Sequence, residues 1–227
     1  QFIFLRDVRS GDVWSATHHP TGTEPEDYLV TFLPEKATFS HRHDGVASLL
    51  DVAVSTEDDV EVRRLAVTNH SAHVREIDVT SYAEVALAPP AADALHPAFS
   101  NLFVQTEVNA QRQAILCTRR PRSLDEQPPW MFHLVAVHGT NSADVSYETD
   151  RMAFIGRGHT GADPQAMTDA GRLSGSQGSV LDPIVAIRHR MTLDPHQTAT
   201  IDIASGIGET RDAALGLVGK YQDRHLA

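Results

Sequence analysis

Val46-Ala47-Ser48-Leu49-Leu50-Asp51-Val52-Ala53-Val54-Ser55 sets Leu50, Val52 and Val54 against Asp51, Ala53 and Ser55, the period-two alternation of a half-buried strand. Glu57-Asp58-Asp59 supplies a turn, and Val60, Val62 and the Leu65-Ala66-Val67 centre give a second strand over 60–68 with one face in a core. The same rhythm extends in both directions. Apolar runs at 2–6, 13–17 and 28–33 are separated by Ser10-Gly11-Asp12 and Pro20-Thr21-Gly22. After Asn69-His70-Ser71 comes a long strand over 74–87 with room for a bulge, then strands at 102–107, 114–118, 131–137, 145–148, 184–191 and 198–204. Turn residues roughly every ten positions, without βαβ alternation, predict an all-β antiparallel sandwich. No repeat of ~20–50 residues is visible, which disfavours a propeller.

Three segments depart from this rhythm. Residues 88–97 form a proline-bounded connection with one helical turn, and 163–178 is a surface run with a short helix at 164–170. From 209 to 226, Ala214, Leu217, Val218 and Tyr221 form the apolar stripe of an amphipathic helix, with Thr210 as N-cap.

The 227 residues suffice for a large core, and the composition (41% hydrophobic, 22% charged) is that of a globular protein. Thirty Asp+Glu against 19 Lys+Arg give a net charge of -11, which argues against nucleic acid or an anionic membrane surface as partner. A neutral sugar meets no such objection. Cys117, the single cysteine, lies in an apolar run and reads as a buried, inert thiol; this fits a reducing, cytoplasmic setting. No apolar run approaches the ~20 residues of a membrane span. Gln1 is followed at once by the strand-like Phe2-Ile3-Phe4-Leu5, so the expectation is a piece of a longer chain.

Few residues offer chemistry. His41 and His43 would share a strand face and form a cupin-type metal pair only with further ligands; with 13 histidines present, a polar sheet surface or loop is the plainer reading, and neither a metal nor a cofactor is expected. The Glu57-Asp58-Asp59 run reads as solvated, and Arg119-Arg120-Pro121-Arg122 as a solvated turn or salt-bridged domain contact. Trp14 and Trp130 are sugar-stacking platforms if exposed and core residues if buried. The loop-like segment 147–159 concentrates charge and glycine: glycines flank Arg157, letting the backbone turn sharply or approach a partner closely while the guanidinium projects. Its plain reading is a structural turn in which Glu148 and Asp150 pair with Arg151 and Arg157.

Eight stretches occur in a telling order: Phe4-Leu5-Arg6-Asp7, Ser10-Gly11-Asp12-Val13-Trp14-Ser15, Asp58-Asp59-Val60-Glu61-Val62-Arg63, Thr80-Ser81-Tyr82-Ala83-Glu84, Leu102-Phe103-Val104-Gln105-Thr106-Glu107, Glu148-Thr149-Asp150-Arg151, Phe154-Ile155-Gly156-Arg157-Gly158 and Asp182-Pro183-Ile184. The series resembles the N-terminal β-sandwich domain of the inverting glycoside phosphorylases of the cellobiose and chitobiose phosphorylase family, in particular the version in the phosphorylase-like C-terminal region of bacterial cyclic β-1,2-glucan synthases. The resemblance implies a large, galactose-mutarotase-like two-sheet supersandwich over 1–206. Residues 207–227 would begin a helical linker to an (α/α)₆ barrel that carries the catalytic aspartate and most phosphate-binding groups.

By that resemblance the chain is a non-catalytic, carbohydrate-associated domain of a glucan-processing phosphorylase or synthase. Its partners would be the barrel of the parent chain, a β-glucan oligosaccharide and a second copy, and the parent a candidate inner-membrane protein with this domain in the cytoplasm. Asp150, Arg151, Arg157 and Gly158 match the family motif and are the expected contacts with sugar or barrel. The rival readings are an independent sugar-binding module on Trp14, Trp130 or the Arg157 segment, a mutarotase-like enzyme using His and Glu, and a metal enzyme centred on His41 and His43.

Overall fold

The computed structural model describes residues 1–223 apart from 122, 124, 141 and 170. In chain order its strands are β1 Phe2–Asp7, β2 Val13–Ser15, β3 Asp27–Phe32, β4 Ala37–His43, β5 Val46–Val54, β6 Val60–Asn69, β7 Arg75–Glu84, β8 Val104–Asn109, β9 Ala114–Arg119, β10 Trp130–His138, β11 Ser142–Asp150, β12 Pro183–Leu193 and β13 Thr198–Gly208. The helices are α1 Pro90–Leu95, α2 Pro97–Asn101, α3 Arg151–Ile155, α4 Gln165–Thr168 and α5 Arg211–Gln222. The strands form a five-stranded sheet, β11-β12-β7-β1-β2, and an eight-stranded sheet, β3-β4-β5-β6-β13-β10-β9-β8. The fold is the all-β, two-sheet antiparallel supersandwich.

Alternation decides what meets between the sheets. On β5, Val46 and Leu50 are buried while Leu49 faces outward. On β6, Leu65 and Val67 enter the central core, whereas Val60 and Val62 turn to the opposite face and pack with α5. The strand expected to bury one face therefore buries two, at different points along its length. Ile77 and Val79 of β7, Val185 and Ile187 of β12, and Ile201 and Ile203 of β13 complete the central layer.

Short helices cover the outer faces. Phe154 and Ile155 of α3 and Met167 of α4 lie on Phe4, Tyr82, Ile184 and Ala186 of the five-stranded sheet. Ala214, Val218 and Tyr221 of α5 seal the eight-stranded sheet over Phe132 and Leu134. Thr210 caps α5 by accepting from the Ala213 amide at 3.1 Å. The part of this helix expected beyond 223 lies outside the described residues.

Two expectations need correction. The long strand over 74–87 is shorter and runs in unbroken register with both neighbours, so it carries no bulge. The irregularities fall between β11 and β12, at Ser142/Asp144 and Glu148/Asp150, the second where the chain leaves the sheet for α3. The acidic turn Glu57-Asp58-Asp59 is not merely solvated: Lys220 bonds Asp58 at 2.7 Å and Glu57 at 3.0 Å, and Tyr221 donates to Asp58 at 2.8 Å. The turn thereby holds α5 against the sheet. No helix among the described residues is long and apolar enough to cross a membrane.

Candidate functional site

The segment 147–159 is a strand end, a helix and a glycine turn, not a loop. The Glu148 side chain is buried on the outer face of β11. One carboxylate oxygen accepts from the amides of Thr149 and Asp150, both at 2.9 Å, and the other accepts from the Ser174 hydroxyl. Asp150 caps α3, accepting from the Met152 amide at 2.8 Å. Arg151 reaches across to Glu84 at 3.1 Å and Asp182 at 3.7 Å. The internal pairing of Glu148 and Asp150 with Arg151 and Arg157 does not form, because both carboxylates already serve backbone amides.

Gly156 lies at φ +83° and ψ 160°, and Gly158 at φ +82°. A Cβ on Gly156 would sit 2.3 Å from Gln165 Oε1 and 2.5 Å from Gln165 Cβ. The close approach that the glycines suggested is thus made to this chain's own α4. Arg157 is exposed between them and makes no hydrogen bond or ion pair among the described residues.

Arg157 borders a cleft of ≈ 480 Å³ that is also lined by Gln165, Arg172, Ser174 and Arg188. Arg172 is held by Asp144 and by the Val145 carbonyl at 2.7 Å. Arg188, buried on β12, donates to Thr80 Oγ1 at 3.0 Å, the Gly171 carbonyl at 2.7 Å and the Ala166 carbonyl at 2.5 Å. It pins the backbone at Ala166 and Gly171 to the sheet. Sequence reading missed Arg188, because its partners, Thr80 and the carbonyls of Ala166 and Gly171, are distant from it in the chain. Of the four motif residues, Asp150 and Arg151 fix the geometry, and Gly158 shapes the turn that presents Arg157.

Other candidates resolve differently. Cys117 is fully buried and its thiol is pushed up to about 12 by desolvation. Trp14 is buried beside His43 with ring centroids 4.9 Å apart, so it is no sugar platform; Trp130 is half-buried at the outer face. Arg119 is buried, its guanidinium 5.3 Å from the Phe103 ring centre, and so is not part of a solvated turn; Arg122 lies outside the described residues.

His41 and His43 sit on β4, a strand that the sequence reading did not list. His41 is buried, and desolvation, then His43 and His18, hold it below the usual histidine range. Among the described residues, no three His, Cys, Asp or Glu gather where they could hold a metal ion. The buried His133 and His189 are pushed down by desolvation to about 3 and about 4. The His–carboxylate contacts among the described residues join His138 to Asp202 and His159 to Asp163, each at 3.6 Å, not a His to a Glu.

Two antiparallel sheets with helix-covered outer faces define a supersandwich domain. Residues 1–224 match the family described as glycosyl hydrolase 94, supersandwich domain, and the chain belongs to that family. It is 39% identical over 187 residues to the cyclic beta-(1,2)-glucan synthase NdvB of Rhizobium meliloti (strain 1021), covering 82% of this chain and 7% of that protein. It is 24% identical to the solabiose phosphorylase of Paenibacillus borealis, over 97% of this chain and 27% of that protein. It is 26% identical to the N,N'-diacetylchitobiose phosphorylase of Vibrio furnissii, over 98% of this chain and 27% of that protein. The chain thus spans about a quarter or less of the length of these relatives.

Proposed function

We propose that this supersandwich is a non-catalytic, carbohydrate-associated domain of a glucan-processing phosphorylase or cyclic β-1,2-glucan synthase. It supports a catalytic helical barrel in the same parent chain, contributes to pairing with a second copy, and presents the Arg157 turn to the outer residues of an oligosaccharide or to the barrel. The observation that carries this reading is the contrast inside one segment. Glu148, Asp150 and Arg151 are all engaged in holding the fold, while Arg157 stands exposed and unpartnered among the described residues, beside a cleft. An arginine fork offered this way suits carboxylates or vicinal hydroxyls of another molecule. The reading places the domain in the cytoplasm. The division at 206/207, with α5 opening the linker, belongs to the same proposal.

The test is incubation of this chain with β-1,2-glucan and inorganic phosphate. No glucose 1-phosphate is expected; its release would overturn the non-catalytic assignment.

A further inference from the structure

We propose that the outer face of the eight-stranded sheet, at the N-terminal end of α5, holds a glucan-binding subsite with Trp130 as its platform. The idea rests on the carbohydrate reading above but not on the Arg157 turn. In register, Trp130 of β10 stands opposite Thr118 of β9, which stands opposite Gln105 of β8. Directly paired residues share a face, so indole, hydroxyl and amide form one row across three strands. In the parallel row two residues along, Phe132 and Leu116 lie beneath α5, and Glu107 is clamped by Arg211 at 3.0 Å. Trp130 packs against the edge of this α5 cluster and stays half-buried.

An open cleft of ≈ 350 Å³ remains over that row, lined also by Gln127, Pro128, Glu209 and Arg211. This lies within the roughly 300–1,000 Å³ range of small-molecule sites. The chemistry is split in two. Trp130 and the neighbouring prolines supply an apolar floor and edge, while Gln105, Gln127 and Glu209 carry donors and acceptors that no described residue uses.

A gluco-configured pyranose is split in the same way. Its C–H face can lie on the indole while its rim of equatorial hydroxyls meets amides that both donate and accept. Arg119, Arg120 and Arg211 also line the cleft, but Arg211 is paired with Glu107 and Arg120 donates to the Leu102 carbonyl. A bare anion would use neither the indole floor nor Glu209. The subsite would hold one or two residues of a neutral glucan chain apart from the Arg157 cleft, which borders the five-stranded sheet.

Fluorescence gives a direct readout, because Trp14 is buried and Trp130 is the half-exposed tryptophan. Titration of the chain with β-1,2-gluco-oligosaccharides is expected to give a saturable tryptophan signal and a matching calorimetric heat. Trp130→Ala and the milder Gln127→Ala should each weaken the calorimetric affinity about tenfold or more, with unfolding midpoints recorded to confirm folding. Glu35→Ala, at an exposed residue between β3 and β4, should leave it unchanged.

Absence of binding by the unaltered chain would overturn the subsite, as would undiminished binding by folded Gln127→Ala and Trp130→Ala. Binding lost only in Arg157→Ala would also overturn it, while leaving the contact role of Arg157 intact. Saturable displacement of the sugar by inorganic phosphate alone would mean that the cleft is an anion site, and would overturn it too. Glucose 1-phosphate release bears on the non-catalytic reading and is scored separately.

Discussion

His133 Nε2 lies 2.8 Å from Ser81 Oγ, a hydrogen bond that joins the eight-stranded sheet to the five-stranded sheet through the middle of the core. Its other ring nitrogen meets Ser205 Oγ at 2.8 Å. Desolvation, aided by Arg63, pushes the imidazole down to about 3. The folded value lies below the unfolded one, so the unfolded chain binds the extra proton first as the solution is acidified. The neutral-histidine contribution is complete above about pH 6.5 and is lost as pH falls from there toward about 3. His189, pushed down to about 4, adds to the same slope. His133→Gln can keep both serine contacts without titrating in this range. Urea unfolding at several pH values between about 7 and 4 should show the variant losing stability less steeply, by up to about 1.4 kcal/mol per pH unit. Parallel pH curves for the two proteins would refute the assignment.

Tyr221 anchors α5 in two ways. Its ring is buried with Val218 over the eight-stranded sheet, and its hydroxyl donates to Asp58 at 2.8 Å and meets Ser55 Oγ at 2.9 Å. Tyr221→Phe removes only the polar link and should cost about 1 kcal/mol. Tyr221→Ala also opens a cavity and should cost about 3–5 kcal/mol. Two-state urea unfolding measures both. Equal losses would mean that the ring contributes nothing beyond its hydroxyl.

Arg188 holds the backbone at Ala166 and Gly171 through their carbonyl oxygens, an arrangement that needs the planar fork of arginine. Arg188→Met leaves the Ala166 and Gly171 carbonyls without this donor, at about 1–3 kcal/mol for each group that stays buried. Lysine cannot span both carbonyls and Thr80 at once, so Arg188→Lys should rescue only partly. Amide exchange should quicken in 166–171 and stay unchanged in α5. Uniform acceleration across the chain would point to global destabilisation instead.

The legible parts of this fold are those where alternation is uninterrupted. The β5–β6 hairpin declares itself because Val46 and Leu50 alternate with solvent-facing neighbours, and α5 because Ala214, Val218 and Tyr221 recur at helical spacing. Strand β4 hides because Thr38, Ser40 and Arg42 alternate with Phe39, His41 and His43, and only Phe39 of the core-side three is plainly apolar. Helix α3 hides because five residues carry little periodicity; its signal is the Asp150 cap ahead of the buried Phe154-Ile155 pair. At the candidate site the glycines around Arg157 were readable, since both adopt positive φ. That Gly156 makes room for Gln165, and that Arg151 pairs with Glu84 and Asp182, depended on tertiary contacts that no local pattern encodes.

The two glycines should respond differently to the same substitution. Gly158→Ala meets no atom within 4 Å, so its cost is the backbone's alone, about 1–2 kcal/mol for a left-handed residue. Gly156→Ala carries a comparable or larger backbone penalty, because φ +83° with ψ 160° is a region kept almost entirely for glycine. It also drives a methyl group to 2.5 Å from Gln165 Cβ. The amide end of Gln165 can swing aside, but its Cβ moves only with the α4 backbone, which the Arg188 bonds hold in place. Gly156→Ala should therefore destabilise clearly more than Gly158→Ala, with raised amide exchange around 165–171. Gln165→Gly introduced alongside should recover part of the difference. Arg157→Ala, between the two, should shift stability by no more than about 0.5 kcal/mol, as expected of an exposed side chain without partners in the described fold. Equal costs for the two glycine variants would show that the Gln165 contact does not set the turn, and a large loss for Arg157→Ala would mean that the guanidinium supports this domain instead of reaching out from it.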